Sequence, residues 1–383
     1  VTDNGTIQER RTSPIELFWD LVFVFAVTQV STLLAQRLSW AGAGRSMLVL
    51  ALIWWAWSAF VWVTNAYDPE APQLRAVLVA AMILSFVVAL AVPGAFGDEA
   101  TTFVLAYAGV RLLHLGLYVD AARRGSASLA TIVRFGAAVL VGLALLVAGA
   151  QLDPEPWRVV LWTAALAIDL AGPAWLTRQR LRGLQRVAVA HFAERYGLFV
   201  IICLGESIVA VGLGAAGRPL DAELVAGVSL ALLVTVGLWW TYFDYAAAAF
   251  EERLARHDEP VLAAADAYSY LHLLMVAGII VFAVGAKKAV AHAGDPLGDA
   301  ARLALCGGVA LYLLGHLAFR LRMTGALGAD KAVAAGACLL VFALGGALAA
   351  WAVTGAVAVV LGVLVARESV VERDLRRRLR AHA

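Results

Sequence analysis

Runs of about 20 apolar residues recur along this chain, and nothing else in it limits the fold so tightly. Twelve can be placed, at 14–36, 46–66, 73–93, 100–121, 129–150, 157–177, 187–214, 222–248, 260–286, 301–321, 331–349 and 352–367. A barrel strand needs only about 10 residues of alternating polarity to cross a bilayer, whereas these runs are continuous, so they call for helices. Lipid offers the backbone no hydrogen-bond partners, and an α-helix satisfies its own. The expected fold class is therefore an all-α polytopic membrane protein with about 12 transmembrane helices. The last two segments are short and meet at an Ala/Gly turn, which leaves eleven as the alternative count. Composition agrees: 62% hydrophobic and 15% charged residues over 383 lie well outside the balance of a soluble domain.

Charge then gives orientation. The net charge of +2 decides nothing about a partner, but most of the 30 Lys and Arg flank the side that holds both termini. By the positive-inside rule both termini are expected in the cytoplasm. The arginines at 178, 180, 182 and 186 and the basic tail dominate that excess, and the tail suits an anionic lipid surface better than nucleic acid. The basic linker at 178–186 separates an N-terminal half, 1–177, from a C-terminal half, 187–367, with a basic tail over 368–383. The halves echo one another: an acidic start before an apolar run at Glu16 and at Glu194, then Trp54-Trp55 and Trp239-Trp240, then His114 and His316 after Leu pairs. Six helices per half would make two parallel six-helix pseudo-repeats. No signal-peptide core precedes Pro14, so the first apolar segment is read as a retained helix. Cys203, Cys306 and Cys338 lie in separate apolar segments without metal-site spacing and read as small core residues.

Three stretches carry a family resemblance. The run RTSPIELFWDLVFVFAVTQ at 11–29, HFAERYGLFVIICLGES at 191–207 and WWTYFD at 239–244 resemble, in order, the signatures of the bacterial low temperature requirement protein A family. The likeness extends from about Arg11 to about Arg367. It implies a multi-helix protein of the bacterial cytoplasmic (inner) membrane, and it implies no particular reaction.

Ionisable residues inside apolar spans are costly and mark candidate sites. Ser13-Pro14-Ile15-Glu16 has capping-box spacing, which accounts for Glu16 as a helix-start residue. Asp20 lies one turn deeper on the same face and is either a buried structural acceptor or a site residue. Asp169 falls inside segment six, and Pro173 cannot donate to its carbonyl, so one residue offers a carboxylate and a loose carbonyl. A kink satisfied by neighbours is the plainer alternative. Arg111, with His114 one turn on, needs a buried acid, and Asp169 and Glu206 are the two expected choices.

In segment seven, His191, Glu194 and Glu206 fall within about 120° of arc and can share an inward face. Glu206 lies about 18 Å along the axis from Glu194, so they cannot make one metal site. His191 and Glu194 are read as a cytoplasmic mouth, and Glu206 as the deeper acid whose protonation matters. Gly197, Gly205, Gly212 and Gly214 suggest close helix contact in this segment. His272, with Tyr268 and Asp266 before it, joins an inner polar network or is a satisfied core histidine. The tryptophans Trp54, Trp55, Trp57 and Trp62 read as interfacial and packing residues.

The leading functional expectation is a secondary transporter or ion-conducting protein that uses Asp20, Arg111, Asp169 and Glu206. The alternative is a membrane-embedded enzyme with His191, Glu194 and His272 as acid–base groups on a small or lipid-soluble substrate. No nucleophile elbow, phosphate loop or dinucleotide fingerprint supports the enzyme. No metal or cofactor is expected, haem between two of His114, His191, His272 and His316 being the variant left open. A sensory or structural membrane protein is a third class. The expected partners are the lipid bilayer and a small-molecule or ion substrate; no nucleic acid is expected, and homo-oligomers are left open.

Overall fold

The structure, a computed structural model, describes residues 12–64, 71–123, 129–152, 155–171, 189–244, 253–254, 257 and 260–371. Helix boundaries follow local chemistry. Helix α1 (Pro14–Gln36) starts on the expected capping box: the Ser13 amide and hydroxyl both donate to Glu16 Oε2 at 2.9 Å. Helix α2 (Trp40–Thr64) starts six residues before the sequence reading placed it, because Ser39 accepts from the Gly42 amide and carries the helix across its glycines. Helices α3 (Pro72–Ala91), α4 (Ala100–Arg123), α5 (Leu129–Ala150) and α6 (Glu155–Ala171) follow. Helix α7 spans Val189–Ala215, and α8 (Ala222–Phe243) is capped by Asp221, which accepts from the Leu224 amide.

Helix α9 is composite: an α-helical turn at Pro260–Ala264, a π-helical stretch at Ala265–Leu271, then α-helix over His272–Ala291. Helix α10 (Asp299–Thr324) ends on Gly325 in the left-handed conformation, whose amide donates to Leu321. Helices α11 (Ala329–Leu344) and α12 (Ala350–Val371) are separate spans joined through a short 3₁₀ turn at Gly345–Ala347, which settles the last apolar region as two. Eleven helices among the described residues are long and apolar enough to cross a membrane. Helix α6, with 17 described residues, is the twelfth. The chain is an all-helical, polytopic membrane protein.

The described residues divide into two compact units. The first comprises Val1–Leu33, Gly44–Arg195 and Asp258–Leu262; the second comprises Leu34–Ala43, Tyr196–His257 and Ala263–Ala383. The first packs α3 on α4, α4 on α5 and α5 on α6. Its core is aromatic, with Trp19, Trp54, Trp57 and Trp162 fully buried. Trp54, Trp55 and Trp57 are thus packing residues rather than an interfacial belt.

The second unit is built on the α9–α10 pair. Gly278 and Gly285 on α9 face Gly308 and Gly315 on α10, each pair seven residues apart and running antiparallel. A Cβ on Gly308 would lie 2.7 Å from the Phe282 Cα, and one on Gly285 would lie 2.5 Å from the Leu305 Cα. Backbone meets backbone here, the close packing that small residues permit in lipid. The contact expected in α7 is present at Gly214, against the Lys287 backbone. It is absent at Gly205 and Gly212, where nothing among the described residues lies within 4 Å.

Candidate functional site

The most concentrated polar chemistry lies in the first unit, between the start of α1 and the start of α7. Glu16 and Asp20 sit one turn apart on α1, and His191 and Arg195 one turn apart on α7, so each pair presents two side chains from one face. The pairs meet. Arg195 Nη1 lies 3.2 Å from Glu16 Oε1, its Nη2 donates to Asp20 Oδ1 at 2.7 Å, and His191 Nε2 lies 3.2 Å from Glu16 Oε2. Trp57 on α2 donates its indole N–H to Asp20 Oδ1 at 2.8 Å. All four ionisable residues are no more than 2% exposed. Asp20 Oδ2 and Arg195 Nε make no hydrogen bond among the described residues.

Two features of this box differ from the sequence reading. Glu194 does not share the inward face with His191; it is exposed, and its Oε2 accepts from the Thr12 amide at 3.0 Å. Arg195, the next residue along, occupies the interior and bridges both acids of α1. Adjacent helical residues point about 100° apart, so only one of the two can enter the box, and the two carboxylates of α1 select the cation. Arg195 and Glu16 are thus box residues that the sequence alone does not single out. The signal for them is the matched i,i+4 spacing of Glu16/Asp20 and His191/Arg195.

A second polar pair sits on α4 and α6. Of the two acids open to Arg111, Asp169 is its partner: Arg111 Nη2 donates to Asp169 Oδ1 at 2.7 Å, with Arg111 fully buried. Trp55 adds a side-chain hydrogen bond to Asp169. The α2 run Trp55-Ala56-Trp57 thus supplies an indole N–H to each of two buried acids, Asp169 and Asp20. Pro173, invoked for a loose carbonyl at Asp169, lies outside the described residues, as does the basic linker. His114, one turn from Arg111, is buried among rings, with centroids 4.9 Å from Tyr118 and 5.8 Å from Phe60.

Removing one member of such a pair leaves an uncompensated buried charge, typically about 3–5 kcal/mol of lost stability. Arg111→Leu is expected to lower stability by that order, and adding Asp169→Leu to recover most of it. Thermal unfolding of the detergent-solubilised variants reads this directly. Equal loss in the single and double variants would mean that packing, not charge, is at stake.

In the second unit Glu206 is buried on α7 and is not the partner of Arg111. His272 follows the π-helical stretch, with Nδ1 3.2 Å from the Ala267 carbonyl and Nε2 2.8 Å from the Tyr242 hydroxyl. Tyr268 stacks on its ring at 4.8 Å. One extra residue in the helical turn brings the Ala267 carbonyl to this ring, a use of π-geometry that recurs at functional sites. Both ring nitrogens are engaged, so His272 reads as an ordered core residue. Asp266 pairs instead with Arg322, at 2.9 Å and partly exposed.

The described residues contain no group of three or more His, Cys, Asp or Glu placed to hold a metal. The three cysteines are free and buried. A groove of about 640 Å³, mostly apolar, is lined by α3 and α4, with Gly109 and Gly116 among its lining residues and Gln73 and Asp120 its polar ones.

The bacterial low temperature requirement A protein family model matches residues 11–366. An uncharacterized protein of Rhizobium meliloti (strain 1021) is 33% identical over 320 residues, which covers 82% of this chain and 78% of that protein. No solved structure matches. The match contains both halves of the α1–α7 box, and over so nearly the whole length it leaves one conclusion: the chain belongs to the bacterial low temperature requirement A family.

Proposed function

We propose that this chain is a secondary transporter or ion-conducting protein of the bacterial cytoplasmic membrane, with the α1–α7 box as its coupling site. Both termini would lie in the cytoplasm, and the two six-helix halves, 1–177 and 187–367, would derive from one ancestral repeat. One observation carries the reading: four ionisable side chains, two of them acids, converge in the interior of a membrane protein. Arg111 and Asp169, by comparison, form a simple one-to-one pair. Around Arg195 two acids and a histidine gather on one cation, a concentration of ionisable groups suited to ion coupling. In membrane proteins such intramembrane acids line ion and proton pathways.

Reconstituted protein under an imposed pH gradient is expected to move protons faster than protein-free vesicles, read from pyranine trapped inside. Asp20→Asn should cut that movement by about tenfold or more, a change of at least about 1.4 kcal/mol in the barrier. Equal rates for wild type and variant count against the box as coupling site. Wild-type vesicles no faster than empty ones count against conduction.

The groove between α3 and α4 favours a second reading, an enzyme acting on a lipid-soluble substrate. Its volume falls within the range of about 300–1,000 Å³ found for ligand pockets, and its lining suits an acyl chain. Turnover of membrane lipid by purified protein, followed by mass spectrometry, separates the two readings.

A further inference from the structure

We propose that Arg111 and Tyr107 hold ordered water in the interior of the first unit, at a site separate from the α1–α7 box. The inference goes beyond the reading of the box as a coupling site and does not depend on it. Arg111 and Tyr107 lie one turn apart on α4, so their side chains leave the helix from one face. The Tyr107 hydroxyl interacts electrostatically with both Arg111 and Asp169, which puts the three groups in one neighbourhood. Arg111 is fully buried and Tyr107 is 2% exposed. Ionisable residues this deep in membrane proteins commonly face water-filled cavities.

The hydrogen bonds of this group do not close on the protein alone. Arg111 Nη2 donates to Asp169 Oδ1, whereas Arg111 Nε, Arg111 Nη1 and the Tyr107 hydroxyl have no hydrogen-bond partner among the described residues. A guanidinium carries donors only, so its Nε–H and Nη1–H groups call for an acceptor. Buried donors are seldom left bare in native proteins, and charged ones cost the most to leave so. Asp169 already meets the charge of Arg111 at 2.7 Å, so a neutral acceptor fits better than an anion. Water is such an acceptor, and it can bond the Tyr107 hydroxyl as well. The packing leaves room for it. A cavity of about 10 Å³ adjoins Tyr107 between α1, α2, α3 and α4, about the space that one water needs. Ser85 is its one other polar lining residue, so the cavity supplies the slack and Arg111 and Tyr107 supply the partners.

X-ray radiolytic labelling of the full chain in detergent micelles, read by mass spectrometry, tests this. A pulse splits water, and the hydroxyl radicals oxidise the side chains beside it whether or not they are exposed. Tyr312 is the control: a fully buried tyrosine whose hydroxyl is taken by the Leu238 carbonyl and by Thr241. Tyr107 is expected to take up oxygen several-fold faster than Tyr312. With ¹⁸O-water mixed in just before the pulse, the oxygen on Tyr107 is expected to stay ¹⁶O, while that on the exposed Trp40 turns to ¹⁸O. Arg111→Lys keeps a cation for Asp169 and removes the Nε and Nη1 donors, so labelling of Tyr107 should fall towards the Tyr312 rate. If that variant does not fold, the double variant Arg111→Leu and Asp169→Leu serves in its place. Labelling of Tyr107 no faster than that of Tyr312, an ¹⁸O content equal to that of Trp40, or labelling unchanged by the loss of Arg111 each overturns the proposal. None of these readings involves flux, so failure here is distinct from failure of the coupling site.

Discussion

Arg195→Gln is expected to leave little or no folded protein. Glutamine keeps much of the volume and some donor capacity, so the loss is one of charge. Without the guanidinium, Glu16 and Asp20 are two carboxylates one turn apart on α1, each residue no more than 2% exposed, that have lost the cation bridging them. Breaking one buried ion pair costs about 3–5 kcal/mol, and Arg195 serves two acids at once. A loss of about 5 kcal/mol or more is comparable with the entire stability of many proteins, about 5–15 kcal/mol.

The pattern of rescue tests the cause. The triple variant Glu16→Gln, Asp20→Asn and Arg195→Gln carries no net charge in the box and is expected to regain most of the lost stability, since neutral replacement of buried ion pairs is often tolerated. Arg195→Lys keeps the charge and loses the fork that reaches Glu16 with one nitrogen and Asp20 with another, so it should fall between. Monodispersity in detergent and thermal unfolding distinguish these outcomes. If Arg195→Gln is as stable as wild type, the box is not the electrostatic centre of the first unit.

Much of this architecture could be read from the sequence because lipid leaves the chain few choices. The start of α1 followed from Ser13, Pro14 and Glu16 alone, since capping is local chemistry that distant residues do not override. The need of Arg111 for a buried acid followed from the cost of a bare guanidinium at depth, although choosing Asp169 over Glu206 required knowing that α6 brings Asp169 within reach of Arg111. Which of Glu194 and Arg195 turns inward depended on the rotation of α7 about its axis. That rotation is fixed by what α1 presents to it, not by the apolar pattern of α7 itself. The π-helical turn before His272 was equally illegible, because one extra residue in a buried apolar helix leaves no mark on its composition. Nor does a sequence say which glycines meet a helix and which meet lipid: Gly205 and Gly212 looked like seam residues, and the seam lies at Gly278, Gly285, Gly308 and Gly315.

That distinction gives the second large effect, in which one substitution changes sign with position. At Gly116, Gly336 and Gly362 a Cβ would meet nothing within 4 Å among the described residues. Each lies inside a helix, where Ala is favoured over Gly by about 0.5–1 kcal/mol, so Gly→Ala there is expected to be neutral or stabilising. At Gly285 the new carbon would lie 2.5 Å from the Leu305 Cα, and at Gly278 it would lie 2.8 Å from the Gly308 carbonyl oxygen. The obstructing atoms are backbone, which no rotamer change can move, so α9 and α10 must part along the seam. Overpacking a close-packed interior typically costs about 1–3 kcal/mol. A backbone obstruction belongs at the upper end of that range for Gly285→Ala, and Gly285→Leu should prevent the two helices from docking. Parting them also disturbs α8 and α12, which both pack on α9, so the loss spreads through the second unit. Thermal unfolding of Gly285→Ala beside Gly116→Ala is the decisive pair: opposite signs are expected, and similar shifts for both would show that the α9–α10 approach is looser than backbone contact.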